Sequence, residues 1–152
     1  MRNSMLASAA FALIASSALV ITAPRADAAT TCSGTGCNGQ LAGNTTCVNG
    51  AYVVDDSQFY VSGSLVADLQ LKYSPSCRTT WGRLVSYLGG AGEAIIMNTP
   101  NPAMRYSCSF QEAAGTGCNT PMLYDANTTS HAYGQVDYAD GQLATSGITI
   151  SY

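Results

Sequence analysis

Charge is scarce in this sequence, and histidine scarcer. Only 10% of the 152 residues are Asp, Glu, Lys or Arg, His131 is the single histidine and Trp81 the single tryptophan. Six basic residues against nine acidic ones give a formal net charge of −3. A chain this poor in lysine and arginine has no cationic stripe to follow a phosphate backbone or an anionic bilayer, which excludes nucleic acid and anionic lipid as principal partners. A triad needs its histidine held against a nucleophile and oriented by a third group, and no Gly-x-Ser-x-Gly elbow occurs to mark one. Ser62-Gly63-Ser64 reads instead as a loop ahead of a strand. After residue 28 no apolar run is long enough to span a bilayer.

One apolar run does occur, at the start. Arg2 precedes a stretch over residues 5–23 with Phe11, Leu13, Ile14, Leu19, Val20 and Ile21, followed by Pro24 and Arg25. Ser16, Ser17 and Thr22 interrupt it, and Ala26-Asp27-Ala28 supplies an A-x-A site. That pattern is a helical secretory signal peptide rather than an anchor, with cleavage expected after Ala28. Residues 29–152 are then one secreted, extracellular domain without a membrane anchor. It carries Lys72, Arg78, Arg83 and Arg105 against eight carboxylates, a net charge of about −4.

Cys32, Cys37, Cys47, Cys77, Cys108 and Cys118 all follow the cleavage site. An even number in an exported chain predicts three disulfides. Each typically stabilises by about 2 to 4 kcal/mol, a large share of a net stability of about 5 to 15 kcal/mol. Six cysteines allow about 15 pairings. Cys108 with Cys118 is favoured, because Ala113-Ala114-Gly115-Thr116-Gly117 between them makes a turn; the other four are expected to tie the N-terminal segment to the region around Cys77. The spacing of Cys32 and Cys37 is one that zinc accepts, yet no second pair or histidine follows at ligand spacing. No metal and no cofactor are therefore expected.

Residues 30–50 are Gly, Thr, Asn, Ser and three cysteines with little apolar periodicity, which predicts a disulfide-held loop. Short strands are expected over 51–54 and 58–61, with Asp55-Asp56-Ser57 as the turn between them. Over 65–73, Leu65, Ala67, Leu69, Leu71 and Tyr73 alternate with Val66, Asp68, Gln70 and Lys72, the period of two of a strand with one face on a core. Ser74-Pro75 ends it. A single helical turn is expected over 77–81, then strands over 83–88, 94–97, 104–110, 122–125, 132–138 and 145–151, with Asp140-Gly141 turning between the last two. The fold class is all-β: a small disulfide-stapled sandwich or partly closed barrel with at most one short helix.

The motifs Cys32-x-Gly34-x-x-Cys37-x-Gly39, Thr46-Cys47 and Leu69-x-Leu71-Lys72-Tyr73-Ser74-Pro75-x-Cys77-x-x-x-Trp81-x-Arg83 resemble the YjfA-like family of small secreted bacterial proteins, a domain of unknown function. Thr120-Pro121-Met122-Leu123-Tyr124-Asp125 extends the likeness. Leu41-Ala42 stands where the family commonly has Asp-Pro, and Cys108 falls in a less similar insertion. The resemblance implies secretion by a bacterium and a compact disulfide domain, and it brings no catalytic residues.

Tyr73, Trp81 and Arg83 are the candidate ligand-binding residues. Two aromatic faces and a guanidinium at a stapled corner suit stacking on sugar rings or holding a carboxylate. The plainer reading has Trp81 filling core beneath the disulfide and Arg83 serving a turn or a carboxylate. Nine tyrosines fit half-buried strands without any ligand. Asp55, Asp56, Glu93, Asp137 and Asp140 offer carboxylates for a glycosidase pair, but most fall in predicted turns, where acids commonly bond the backbone. Asp137-x-x-Asp140-Gly141 lacks calcium-loop spacing. Asn44-Thr45-Thr46 and Asn127-Thr128-Thr129 are glycosylation sequons that matter only in a host with that machinery. The function expected is a non-enzymatic module that binds an extracellular or cell-envelope component, with cell-wall or extracellular polysaccharide as one candidate partner. The alternatives are a small extracellular hydrolase of such polymers, and an inhibitor or toxin that uses the stapled loops.

Overall fold

A computed structural model describes residues 29–112 and 114–152; the expected signal peptide lies outside the described residues. Among the described residues nine strands follow in chain order: β1 (Tyr52–Val61), β2 (Ser64–Ser74), β3 (Thr79–Ser86), β4 (Gly90–Asn98), β5 (Arg105–Glu112), β6 (Thr116–Asn119), β7 (Leu123–Tyr124), β8 (Ser130–Asp137) and β9 (Leu143–Ile148). They form two sheets, β1-β2-β3-β6 with β7 beside the other half of β3, and β5-β4-β8-β9. All named pairings are antiparallel.

The sheets face one another because their strands alternate. In β8, Ser130, Ala132, Gly134 and Val136 are buried while His131, Tyr133, Gln135 and Asp137 are only half so. The inner faces meet in a core of Phe59, Ala67, Leu69, Leu71, Leu84, Ala94, Ile96, Ala132 and Val136. Small residues set the spacing: a Cβ on Gly134 would lie 3.1 Å from Leu69 Cδ1. Cys108 on β5 and Cys118 on β6 are disulfide-bonded, so one covalent bridge joins the two layers of the sandwich.

A second, smaller core lies on the outer face of the first sheet. The N-terminal segment makes three short 3-10 turns (Gly34–Cys37, Ala42–Asn44, Thr46–Val48) and packs Cys37, Ala42 and Cys47 with Cys77, Trp81 and Met122. Cys47 bonds Cys77 across 30 residues, as the tie to that region requires, whereas Cys32 and Cys37 close a local loop.

Three local expectations are corrected. Asp55-Asp56-Ser57 is not a turn: β1 runs through it with a register shift between Val53 and Asp55, and Asp55 Oδ2 accepts a hydrogen bond from the Ile150 amide at 2.7 Å. Residues 77–81 hold no helical turn. The corner closes with Arg78 N donating to Ser74 O at 2.7 Å and Arg78 at φ 56°, and β3 begins at Thr79, whose neighbour Thr80 pairs with both Tyr73 and Leu123. The residues after Gly115 add β6, a four-residue strand that its short, Gly-containing sequence did not announce.

Candidate functional site

The three residues singled out in the sequence do not converge. In β2 and β3, Lys72 pairs with Trp81 and Tyr73 with Thr80. Directly paired residues share a face and successive residues alternate, so Trp81 and Arg83 lie on one face of the sheet and Tyr73 on the other. Trp81 is 2% exposed and fills the small core beneath the disulfides, with Lys72 Nζ 5.8 Å from its ring centroid. Arg83 donates through Nη1 to Gln70 Oε1 at 3.2 Å, and Gln70 Nε2 donates to Asp68 Oδ2 at 2.8 Å. Tyr73 stacks edge-on with Tyr52 and tilted against Tyr152, at centroid distances of 5.9 and 5.2 Å. The Tyr52 and Tyr152 hydroxyls bond at 3.0 Å, and that bond is the largest cause raising the Tyr152 pKa to about 12.

His131 Nδ1 lies 3.2 Å from Thr99 Oγ1, which in turn contacts Ser151 Oγ at 3.1 Å. No carboxylate orients the ring in this chain of contacts, as a triad base requires. Asp125 is 7% exposed, and its Oδ1 is enclosed without a hydrogen-bond partner. Burial pushes its carboxyl up to about 7, against the opposing effect of a hydrogen bond from Ser130. Ser130 is itself held by Thr80 at 2.6 Å. This acid sits inside the protein.

Among the described residues, the outer face of the second sheet is a surface with room for a ligand. Because Ala94 and Ile96 face the core, Ala91, Glu93, Ile95 and Met97 of β4 face outward. Register places Glu93 between Ser109 and Gln135, and Ile95 between Ser107 and Tyr133. Two concavities lie along the β4–β5 seam. One, of about 250 Å³, is lined by Glu93, Ile95, Arg105 and Ser107. The other, of about 430 Å³, is lined by Gly90, Ala91, Gln111, Tyr138, Ala139 and Gly141. From Ile95 to Ala91 the seam advances about 13 Å at the strand rise of about 3.3 Å per residue.

The chemistry along this path is mixed. Glu93 accepts, Arg105 offers a charged planar fork, Ser107, Ser109, Gln111 and Gln135 both donate and accept, and Tyr133 and Tyr138 provide ring faces. Tyr133 donates its hydroxyl to Gln135 Oε1 at 3.2 Å. Glu93 faces Gln135, two residues before Asp137, and a diagonal pair on a sheet face stands about 7 to 8 Å apart. Sequence reasoning named Glu93 and Asp137 but missed Arg105, Tyr133 and Gln135. The readable signal was polar alternation through residues 131–137, obscured because the inward residues Ala132 and Gly134 are too small to mark an apolar face.

Against known proteins, the profile of a family described as a protein of unknown function, DUF2690, matches residues 35–133. No curated protein and no solved structure matches the chain.

Proposed function

We propose that this chain, which belongs to the DUF2690 family of unknown function, is a secreted binding module that holds an extended polysaccharide of the cell envelope along the β4–β5–β8 face. The observation that carries this reading is the seam itself. Two concavities follow one another on a rigid sheet, flanked by hydroxyl, amide and tyrosine side chains. Sugars present alternating hydroxyls and apolar ring faces, which such a mixture meets by hydrogen bonds and stacking. Arg105 adds a bidentate partner for a carboxylate on the polymer. The mature domain begins after Ala28. Export is supported by three disulfides with no free cysteine among the described residues, where no helix is long and apolar enough to cross a membrane. The resemblance to the YjfA-like secreted bacterial proteins points the same way.

The test is co-sedimentation of the oxidised protein with insoluble peptidoglycan, chitin and cellulose. Selective pelleting with one polymer is the expected result; recovery in the supernatant with all three rejects the polysaccharide reading.

Glu93 and Asp137 favour one second reading, a glycosidase acting on the same face, because register sets these two acids diagonally on one sheet face and glycoside hydrolysis uses a pair of carboxyl groups. Release of reducing ends by the protein, abolished in both Glu93→Gln and Asp137→Asn, would establish it. Absence of product from every polymer that pellets the protein would leave binding alone.

A further inference from the structure

We propose that, when its Cys32–Cys37 and Cys47–Cys77 disulfides are reduced, the chain holds one zinc-class divalent ion in a site built from those four sulfurs. The sequence offered one pair at metal-ligand spacing and no second. The fold supplies the second from distant positions. All four Sγ atoms lie within 4.8 Å of one another, and between the two disulfides Cys32 Sγ and Cys47 Sγ stand 3.4 Å apart, Cys37 Sγ and Cys47 Sγ 3.9 Å. Four thiolates around a tetrahedral zinc ion at about 2.3 Å each stand about 3.8 Å from one another. These two of the four unbonded separations already bracket that value and the other two are within 4.8 Å, so opening the two bonded pairs is the main adjustment required.

Contacts that do not involve sulfur hold the three segments together. Gly34 N donates to Cys77 O at 3.0 Å, Gly39 N to Met122 O at 3.0 Å, Met122 N to Gln40 O at 2.8 Å, and Tyr124 N to Asn38 Oδ1 at 2.6 Å. Cys37, Cys47 and Cys77 are buried against Trp81 and Met122, while Cys32 is half-exposed. Reductant and ion therefore reach the cluster from the Cys32 side, and the other ligands are shielded from water. An all-sulfur donor set selects zinc-class ions over calcium or magnesium, which take oxygen ligands.

The electrons balance through a dithiol reductant. Each disulfide takes two electrons and two protons and becomes two thiols, while one dithiol becomes its own disulfide. The ion then displaces the thiol protons as it binds. The oxidised form carries no thiolate and takes no ion, so redox state gates the site. This site is on the opposite sheet from the polysaccharide face and stands or falls independently of it.

The test is anaerobic reduction of the full chain with a dithiol, removal of the reductant, and titration with Co²⁺ followed by Zn²⁺. The expected result is one Co²⁺ per chain with the visible spectrum of a tetrahedral tetrathiolate, bleached by Zn²⁺, and Trp81 emission in the metal-loaded form that matches the oxidised protein. The double variant Cys108→Ser with Cys118→Ser retains the spectrum; Cys47→Ser loses it. No spectrum in the reduced chain, a spectrum unchanged by Cys47→Ser, or metal-loaded protein with solvent-exposed Trp81 emission would each overturn the proposal, the last by showing ligation in an unfolded chain.

Discussion

Tyr73 and Trp81 stand one register step apart across β2 and β3, Tyr73 paired with Thr80 and Trp81 with Lys72, and so look out from opposite faces of one sheet. Trp81 serves the small core. Trp81→Ala is expected to cost about 3 to 5 kcal/mol, the usual range for a buried tryptophan, read by urea denaturation. A loss under 1 kcal/mol would mean that the N-terminal segment does not depend on this side chain.

The Cys108–Cys118 bridge is the covalent link between the two layers. Replacing both cysteines by serine is expected to lower stability by about 2 to 4 kcal/mol, visible as a reduced Tm with the far-ultraviolet β spectrum retained at low temperature. An unchanged Tm would show that the apolar core alone fixes the packing of the sheets.

Asp125 makes stability depend on pH. Burial pushes its carboxyl from an ordinary 3.8 up to about 7, so between roughly pH 4 and 7 the folded state binds more protons than the unfolded chain. Its contribution is complete below pH 4 and is lost as pH rises through 7. The loss is at most about 4 kcal/mol at 1.36 kcal/mol per unit. Asp125→Asn should flatten this slope in denaturation midpoints measured from pH 4 to 8; a slope equal to that of the wild type would assign it to other groups.

The all-β class was legible because β2 alternates from Ala67 to Lys72 and because turn residues punctuate the chain, although Leu65 is exposed and Val66 buried at its start. The disulfide across 113–117 was legible from a short glycine-containing loop. Other features were set by partners distant in sequence. Asp55 looks like a turn residue until Ile150 supplies its donor. Thr79 and Thr80 look free to curl until Tyr73, Leu123 and Tyr124 pair with them. Tyr73, Trp81 and Arg83 are near neighbours along the chain, and sheet parity, which separates Tyr73 from Trp81 and Arg83, appears only once β2 and β3 are in register. Arg105, from β5, reaches the seam through pairing with β4 that no local pattern specifies.

Gly117 tests that register in the first sheet. A Cβ there would fall 2.0 Å from Leu84 O on the neighbouring strand, so Gly117→Ala must push β6 off β3. The expected outcome is a destabilisation of about 1 to 3 kcal/mol, with faster amide exchange at Leu84 and Cys118. Wild-type exchange at these amides would contradict the β3–β6 pairing.

Two double variants pelleted beside the wild type test the central claim, that polysaccharide binds on the outer face of the second sheet. Arg105→Ala with Tyr133→Ala alters that face, and Tyr73→Ala with Arg83→Ala alters both faces of the first sheet. With both variants shown to be folded, the first is predicted to lose at least tenfold in affinity for the polymer that pellets the wild type, about 1.4 kcal/mol, while the second pellets as the wild type does. The reverse pattern, binding lost with Tyr73 and Arg83 and kept without Arg105 and Tyr133, would contradict the account.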